Sequence, residues 1–123
     1  MKKLIINFSI LGLTLLPNFI FAQIYQSLPP SLQQIATPNS EPGWIYFKNP
    51  QAVTDFNVFI VYKNDFGLGS DDEMQIYKTE TDRTGTTNTW YQQFYKTLKV
   101  EGCQYIAHSK NSNVYLANGN LCS

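Results

Sequence analysis

The chain is poor in the residues that perform chemistry. Its 123 residues include one histidine and two cysteines, and no HExxH, GxSxG, P-loop or cysteine–histidine pairing. The common hydrolase centres and the phosphate cradle therefore have nothing to be built from. One histidine cannot complete a ligand set around two cysteines, so a zinc site is the weaker reading of Cys103 and Cys122. Charge is scarce too: nine basic side chains balance nine acidic ones, and no lysine or arginine cluster occurs. That balance excludes the basic footprint of nucleic-acid binding and a polybasic membrane patch. Neither a catalytic residue nor a cofactor or metal is implied.

Long apolar runs are absent except at the start. MKK is followed by LIINFSILGLTLLPNFIF without a charge, and then by the small Ala22 before Gln23. A basic head, an apolar stretch and a small-residue exit make 1–22 a secretory signal peptide. The run is about 18 residues, barely enough for an uncleaved anchor, and Pro17 and the Ala22–Gln23 exit favour cleavage. No cysteine follows it, so a lipid anchor is not expected. The mature chain of about 100 residues suits one small domain. It would be exported to the periplasm or the medium, free of the membrane. An oxidising compartment makes a Cys103–Cys122 disulfide the default.

Residues 23–42 hold four prolines and no apolar period, as in an extended or disordered leader. The domain is expected over 43–123, opening with an aromatic and β-branched strand at 44–48. The stretch 52–69 is ambiguous. VFIVY has strand propensity, yet Thr54 can cap a helix, and Gly67 or Gly69 can close it. Val53, Phe56, Ile60 and Lys63 lie at helical spacing, with Phe59 beside them. Beyond it, strands are expected at 73–82, 89–100, 104–110 and 114–118, with a turn around Gly85 and a bend at Gly102.

The last pair allows a register to be worked out. A two-residue loop at Ser112 and Asn113 sets Asn111 opposite Val114. Ser109 then faces Leu116, Ala107 faces Asn118, Tyr105 faces Asn120 and Cys103 faces Cys122. Directly opposed positions are within disulfide reach, and such a loop closure stabilises a domain by about 3 kcal/mol. His108 falls mid-strand and reads as a half-buried packing residue. Asp71, Asp72 and Glu73 lack the alternating ligands and central glycine of a calcium loop. Asp82, Gly85 and the neighbouring threonines read as turn chemistry.

The order of these segments resembles the fungalysin/thermolysin propeptide (FTP) domain. Asp82 and Gly85 stand where that family has a D-x-x-G turn. Tyr91-Gln92-Gln93 matches its aromatic-Gln-Gln strand and Val100-Glu101-Gly102 with Tyr105 its V-E-G-x-x-Y. His108 and the Asn118-Gly119 ending complete the set, and the likeness covers about 43–121. It implies an α+β, cystatin-like domain: a curved antiparallel sheet of about four strands packed on one helix, which favours helix for 54–64. It also implies a non-catalytic partner of a secreted zinc metalloprotease, acting as chaperone or inhibitor. The chain is expected not to hydrolyse peptides, having no ligands to hold a metal. Thr97 and Lys99 depart from the family's Gly-x-Pro-Val, which suggests a straighter strand there. Two other readings stay open: a remnant of a longer protease precursor, and an adhesion or ligand-binding module using Tyr91, Tyr95 and Tyr105.

At period two, 90–100 separates into two faces. Trp90, Phe94, Leu98 and Val100 are the expected core side. Tyr91, Gln93 and Tyr95 are the expected partner-binding side. A buried Gln92 would need backbone partners at a bulge or a helix end.

Overall fold

The computed structural model describes residues 27–123; the expected signal peptide lies outside them. The protein is mostly sheet. Five strands run β1 (Trp44–Tyr46), β2 (Asp72–Thr81), β3 (Thr87–Tyr95), β4 (Leu98–Lys110) and β5 (Asn113–Gly119). They lie side by side in the order β1-β5-β4-β3-β2, antiparallel throughout. Among the described residues helix is confined to short pieces: α1 (Pro30–Gln33), a 3-10 turn (Pro50–Ala52) and α2 (Val58–Val61). Thus the sheet has five strands rather than about four, and the expected helix over 54–64 is a single turn flanked by tight turns.

Thr54 does open that turn. Its carbonyl accepts from the amides of Asn57 and Val58, at 3.2 and 3.1 Å, while its own N–H donates to Asn57 Oδ1 at 2.7 Å. A crowd of β-branched residues at Val58, Ile60 and Val61 gives little support for a longer helix. The residues at helical spacing are not all buried. Val53, Val58 and Phe59 are inside, whereas Phe56 is 68% and Ile60 75% exposed. Phe59 is the hub of the core, with ring centroids 4.8 Å from Tyr91, 5.0 Å from Phe66 and 5.5 Å from Tyr105. Phe66 meets Tyr105 at 5.5 Å, and Phe47 stacks on Tyr62 at 5.4 Å. Edge-to-face pairs of this kind contribute about 0.5–1.5 kcal/mol each beyond area burial.

Two tight hairpins set the strand order. Tyr95 pairs with Leu98 across Lys96 and Thr97, whose φ angles are 47° and 68°. Two central residues with positive φ make the turn whose twist matches paired strands. The stretch 89–100 is therefore two strands and a reversal, not one strand, and the straighter path expected from Thr97 and Lys99 is overturned. Nothing in Lys-Thr announces such a turn, because neither residue favours positive φ.

The second hairpin loop is Asn111–Ser112 (φ 51° and 67°), with Lys110 opposite Asn113. That is one residue earlier than the spacing implied. A bulge at Tyr115 then shifts the ladder, since Ser109↔Val114 is followed by His108↔Leu116. Ala107 consequently faces Ala117, and Tyr105 faces Gly119. Cys103 and Cys122 are nonetheless joined as a disulfide, their Cα atoms 5.8 Å apart, with Cys122 beyond the end of β5.

The segment expected to be a loose leader is packed over its described part, 27–42. Leu28 and Ala36 belong to the core, Ala36 bridges Phe47 and Glu41 bridges Trp44. Thr37 N donates to Tyr46 O at 2.8 Å. Proline set the sequence reading there, but backbone pairing to β1 supplies the partners that a Pro-rich stretch cannot find within itself.

Candidate functional site

The Gln92–Gln93 pair organises the family-motif residues. β4 bulges opposite it: Gln92 faces Gln104, but Phe94 faces Lys99, so 100–103 all lie opposite Gln93 alone. Gly102, at φ +78°, lets the chain loop out there. Backbone carbonyls freed by a bulge need donors. Gln92 Nε2 supplies them, reaching Val100 O at 2.7 Å, Gln93 O at 3.0 Å and Cys103 O at 3.2 Å. Its Oε1 accepts from Gln104 Nε2 at 3.0 Å. Gln92 therefore bonds backbone at a strand bulge, as its expected burial required. Glu101 stays exposed and pairs with Lys99 at 3.7 Å.

Gln93 does the matching work on the other face. Its Oε1 accepts from Cys122 N–H at 2.9 Å, and its Nε2 donates to Cys122 O at 2.8 Å and Asp72 Oδ1 at 3.1 Å. One side chain thus stands in for a strand neighbour and ties β2 and the C-terminal segment to β3. The expectation for the two faces of this strand is reversed. Tyr91 is 3% and Gln93 1% exposed, and they point into the core with Tyr105. Of the expected partner-binding trio only Tyr95 is on the surface. Leu98, expected inside, is exposed, and Trp90, Phe94 and Val100 are half-buried. The hidden turn at Lys96–Thr97 is the cause: no single alternation spans 90–100.

The remaining motif residues shape the frame. Asp82 Oδ1 accepts from Thr84 N, Thr84 Oγ1 and Thr86 N at 2.8, 2.6 and 3.1 Å. Those bonds, that from Thr84 Oγ1 first, hold its carboxyl below the usual carboxylate range. With Gly85 N donating to Asp82 O at 3.2 Å, the β2–β3 loop is turn chemistry. His108 sits between amides, with Nδ1 2.6 Å from Asn88 Oδ1 and Nε2 2.5 Å from Asn118 Oδ1. Gly119 is required by close approach: a Cβ there would collide with the Gln104 carbonyl and Tyr105 Cα. Tyr91 donates to Asp55 O. Burial, reinforced by the nearby Asp55 carboxylate, pushes the Tyr91 hydroxyl pKa well up; burial alone pushes Tyr105 up to about 12. Among the described residues no group of three or more His, Cys, Asp or Glu is placed to hold a metal ion. No helix among them is long and apolar enough to cross a membrane.

The accessible site is elsewhere. A groove of about 430 Å³ runs between α2 and β2, lined on the helix side by Phe56, Phe59, Ile60 and Lys63 and on the strand side by 72–76. Helical spacing at Phe56 and Ile60 does not by itself say whether those side chains are buried, so it does not point to exposed apolar walls. The available signal was a surplus: Phe56, Val58, Phe59, Ile60 and Val61 are more apolar residues than one turn of helix can bury.

Residues 72–121 match the family model of the Fungalysin/Thermolysin Propeptide Motif. This segment, β2 through β5 and the start of the C-terminal segment, is similar to that propeptide motif. The match is narrower than the likeness over 43–121: β1, α2 and one wall of the groove lie upstream of it. No curated protein matches the chain. The FTP motif is a propeptide unit rather than a catalytic one, and its family context is the prosegment of thermolysin-like metalloproteases. Its Gln-Gln pair, bulge and Asn-Gly ending serve the frame in this chain.

Proposed function

We propose that the protein is an exported, non-catalytic FTP module that binds a thermolysin-like zinc metalloprotease and acts as its folding chaperone or inhibitor. The observation that carries this reading is the match of 72–121 to the propeptide motif. The Cys103–Cys122 disulfide supports export, because such bonds persist in oxidising compartments. The protease is the partner and holds the zinc; this chain contributes a surface. Because Tyr91, Gln93 and Tyr105 are buried, contact falls to exposed groups, Tyr95 among them.

The test is to add the purified protein to a co-secreted metalloprotease, following both residual activity and the yield of active enzyme on refolding. Inhibition at stoichiometric ratio or a raised yield is the expected result. Neither effect with any co-secreted metalloprotease would refute the reading.

A further inference from the structure

The two halves of β2 treat their free edge differently. Among the described residues β2 is an edge strand, paired only with β3. From Tyr77 to Thr81 it is guarded in the ways edges usually are. A bulge interrupts the ladder between Ile76 and Lys78, and Lys78 and Glu80 place charges 3.5 Å apart along the strand. Bulges and edge charges discourage pairing with a foreign strand. From Asp72 to Ile76 the ladder is regular, residue by residue, against Tyr95 to Tyr91. This half, without a bulge and with its charges confined to Asp72 and Glu73 at one end, borders the groove.

Strand parity decides what the groove receives. Met74 and Ile76 pair with Gln93 and Tyr91, which face the core, so they share the groove side with Asp72. Ile76 is left 39% exposed, while Met74 is partly buried against the core. Phe56 and Ile60 stand across the gap with most of their surface in water. An apolar slot beside an open strand edge suits an extended peptide that adds to the sheet and drops alternate side chains into the slot. The end of the slot is electronegative. Asp72 lines it and Glu73 borders it, opposed by Lys63 on the helix wall; none of the three makes an ion pair among the described residues, and Asp72 Oδ2 accepts from Gly69 N–H at 2.7 Å.

We propose that β2 and α2 form a docking groove for an extended segment of a partner protein, added antiparallel to Asp72–Ile76. Its alternate apolar residues enter between Phe56, Ile60, Met74 and Ile76. A basic residue follows toward its C-terminal end, opposite Asp72. The segment's backbone N–H and C=O groups pair with those that β2 leaves unpaired on its outer side. This rests on the reading above only in requiring a polypeptide partner.

The probe is a labelled peptide, acetyl-Thr-Val-Thr-Val-Thr-Lys-amide, titrated into the purified full chain and followed by fluorescence anisotropy. Saturable binding is expected, weakened on the order of tenfold in a Phe56→Ala/Ile60→Ala variant. Both side chains are largely in water, so that variant keeps its fold, as circular dichroism would verify. Glu in place of the peptide's Lys should weaken binding several-fold, and N-methylation of the amides facing β2 should abolish it. No binding, or binding indifferent to N-methylation or to the double substitution, would overturn the proposal. So would a dimer of the chain that Phe56→Ala/Ile60→Ala abolishes and the peptide does not compete with, since a second copy would then occupy the groove. Protease inhibition without peptide binding would sink the groove and leave the FTP reading intact; the reverse would do the opposite.

Discussion

The two edges of the sheet are finished in opposite ways. β1 is three residues long and is sealed by the chain's own N-terminal segment, through the Ala36–Phe47 and Glu41–Trp44 bridges. Its central residue, Ile45, is wholly buried. β2 is ten residues long and borders a groove, with no further strand beside it among the described residues. A sealed edge is stability; an open edge is an unsatisfied row of backbone donors and acceptors, which proteins keep only where it is guarded or used. In this molecule the guard covers half of β2.

Substitutions at the two edges should therefore differ most. Ile45→Ala should cost about 2–5 kcal/mol by urea unfolding, as truncation of a fully buried aliphatic does, while Ile76→Ala should cost under about 1 kcal/mol. Equal costs would erase the contrast. Gln93→Ala should come next, at about 1–3 kcal/mol, because it strips partners from Cys122 and Asp72 and so unties the C-terminal segment from β3. A loss within error would mean that the disulfide alone holds this end.

Alkali should attack the sealed interior before the open edge. The Tyr105 hydroxyl, pushed by burial up to about 12 from the ordinary 10, holds its proton more tightly folded than unfolded. Stability is then fully present below about pH 10 and falls as pH rises toward 12. Tyr105→Phe should flatten that fall in pH-dependent unfolding; an unchanged slope would contradict it. Smallest is Thr97→Gly, which should raise stability by about 0.4–1 kcal/mol by relieving a β-branched residue at φ 68°. A decrease would show that Thr97 is held by something other than the turn.

Several features were legible because local chemistry determined them. The Asp82–Gly85 turn, the bend at Gly102, the backbone-bonded Gln92 and the half-buried His108 follow from residue types with narrow conformational or hydrogen-bonding preferences. The disulfide was reached as well, though through a register that the structure corrects at both the loop and the Tyr115 bulge. What stayed hidden depended on long-range pairing. Lys96–Thr97 turns because β3 and β4 pair on either side, against the preference of both residues. That concealed turn joined two strands into one and turned the faces of 90–100 inside out, so Tyr91 and Gln93 looked accessible. Residues 27–42 looked loose for a related reason, since their partners on β1 are not visible in their composition. The groove was illegible because 52–69 reads as strand or helix alike and helical spacing at Phe56 and Ile60 does not say which face they take; the turn's shortness leaves them in water.

The most direct measurement is a stoichiometric titration of the purified protein into a co-secreted thermolysin-like metalloprotease, with the Phe56→Ala/Ile60→Ala variant in parallel. The expected result is saturable loss of peptidase activity or a raised refolding yield with the native chain, weakened in the variant. A protease that neither slows nor refolds better with the native chain would contradict the FTP reading at its root.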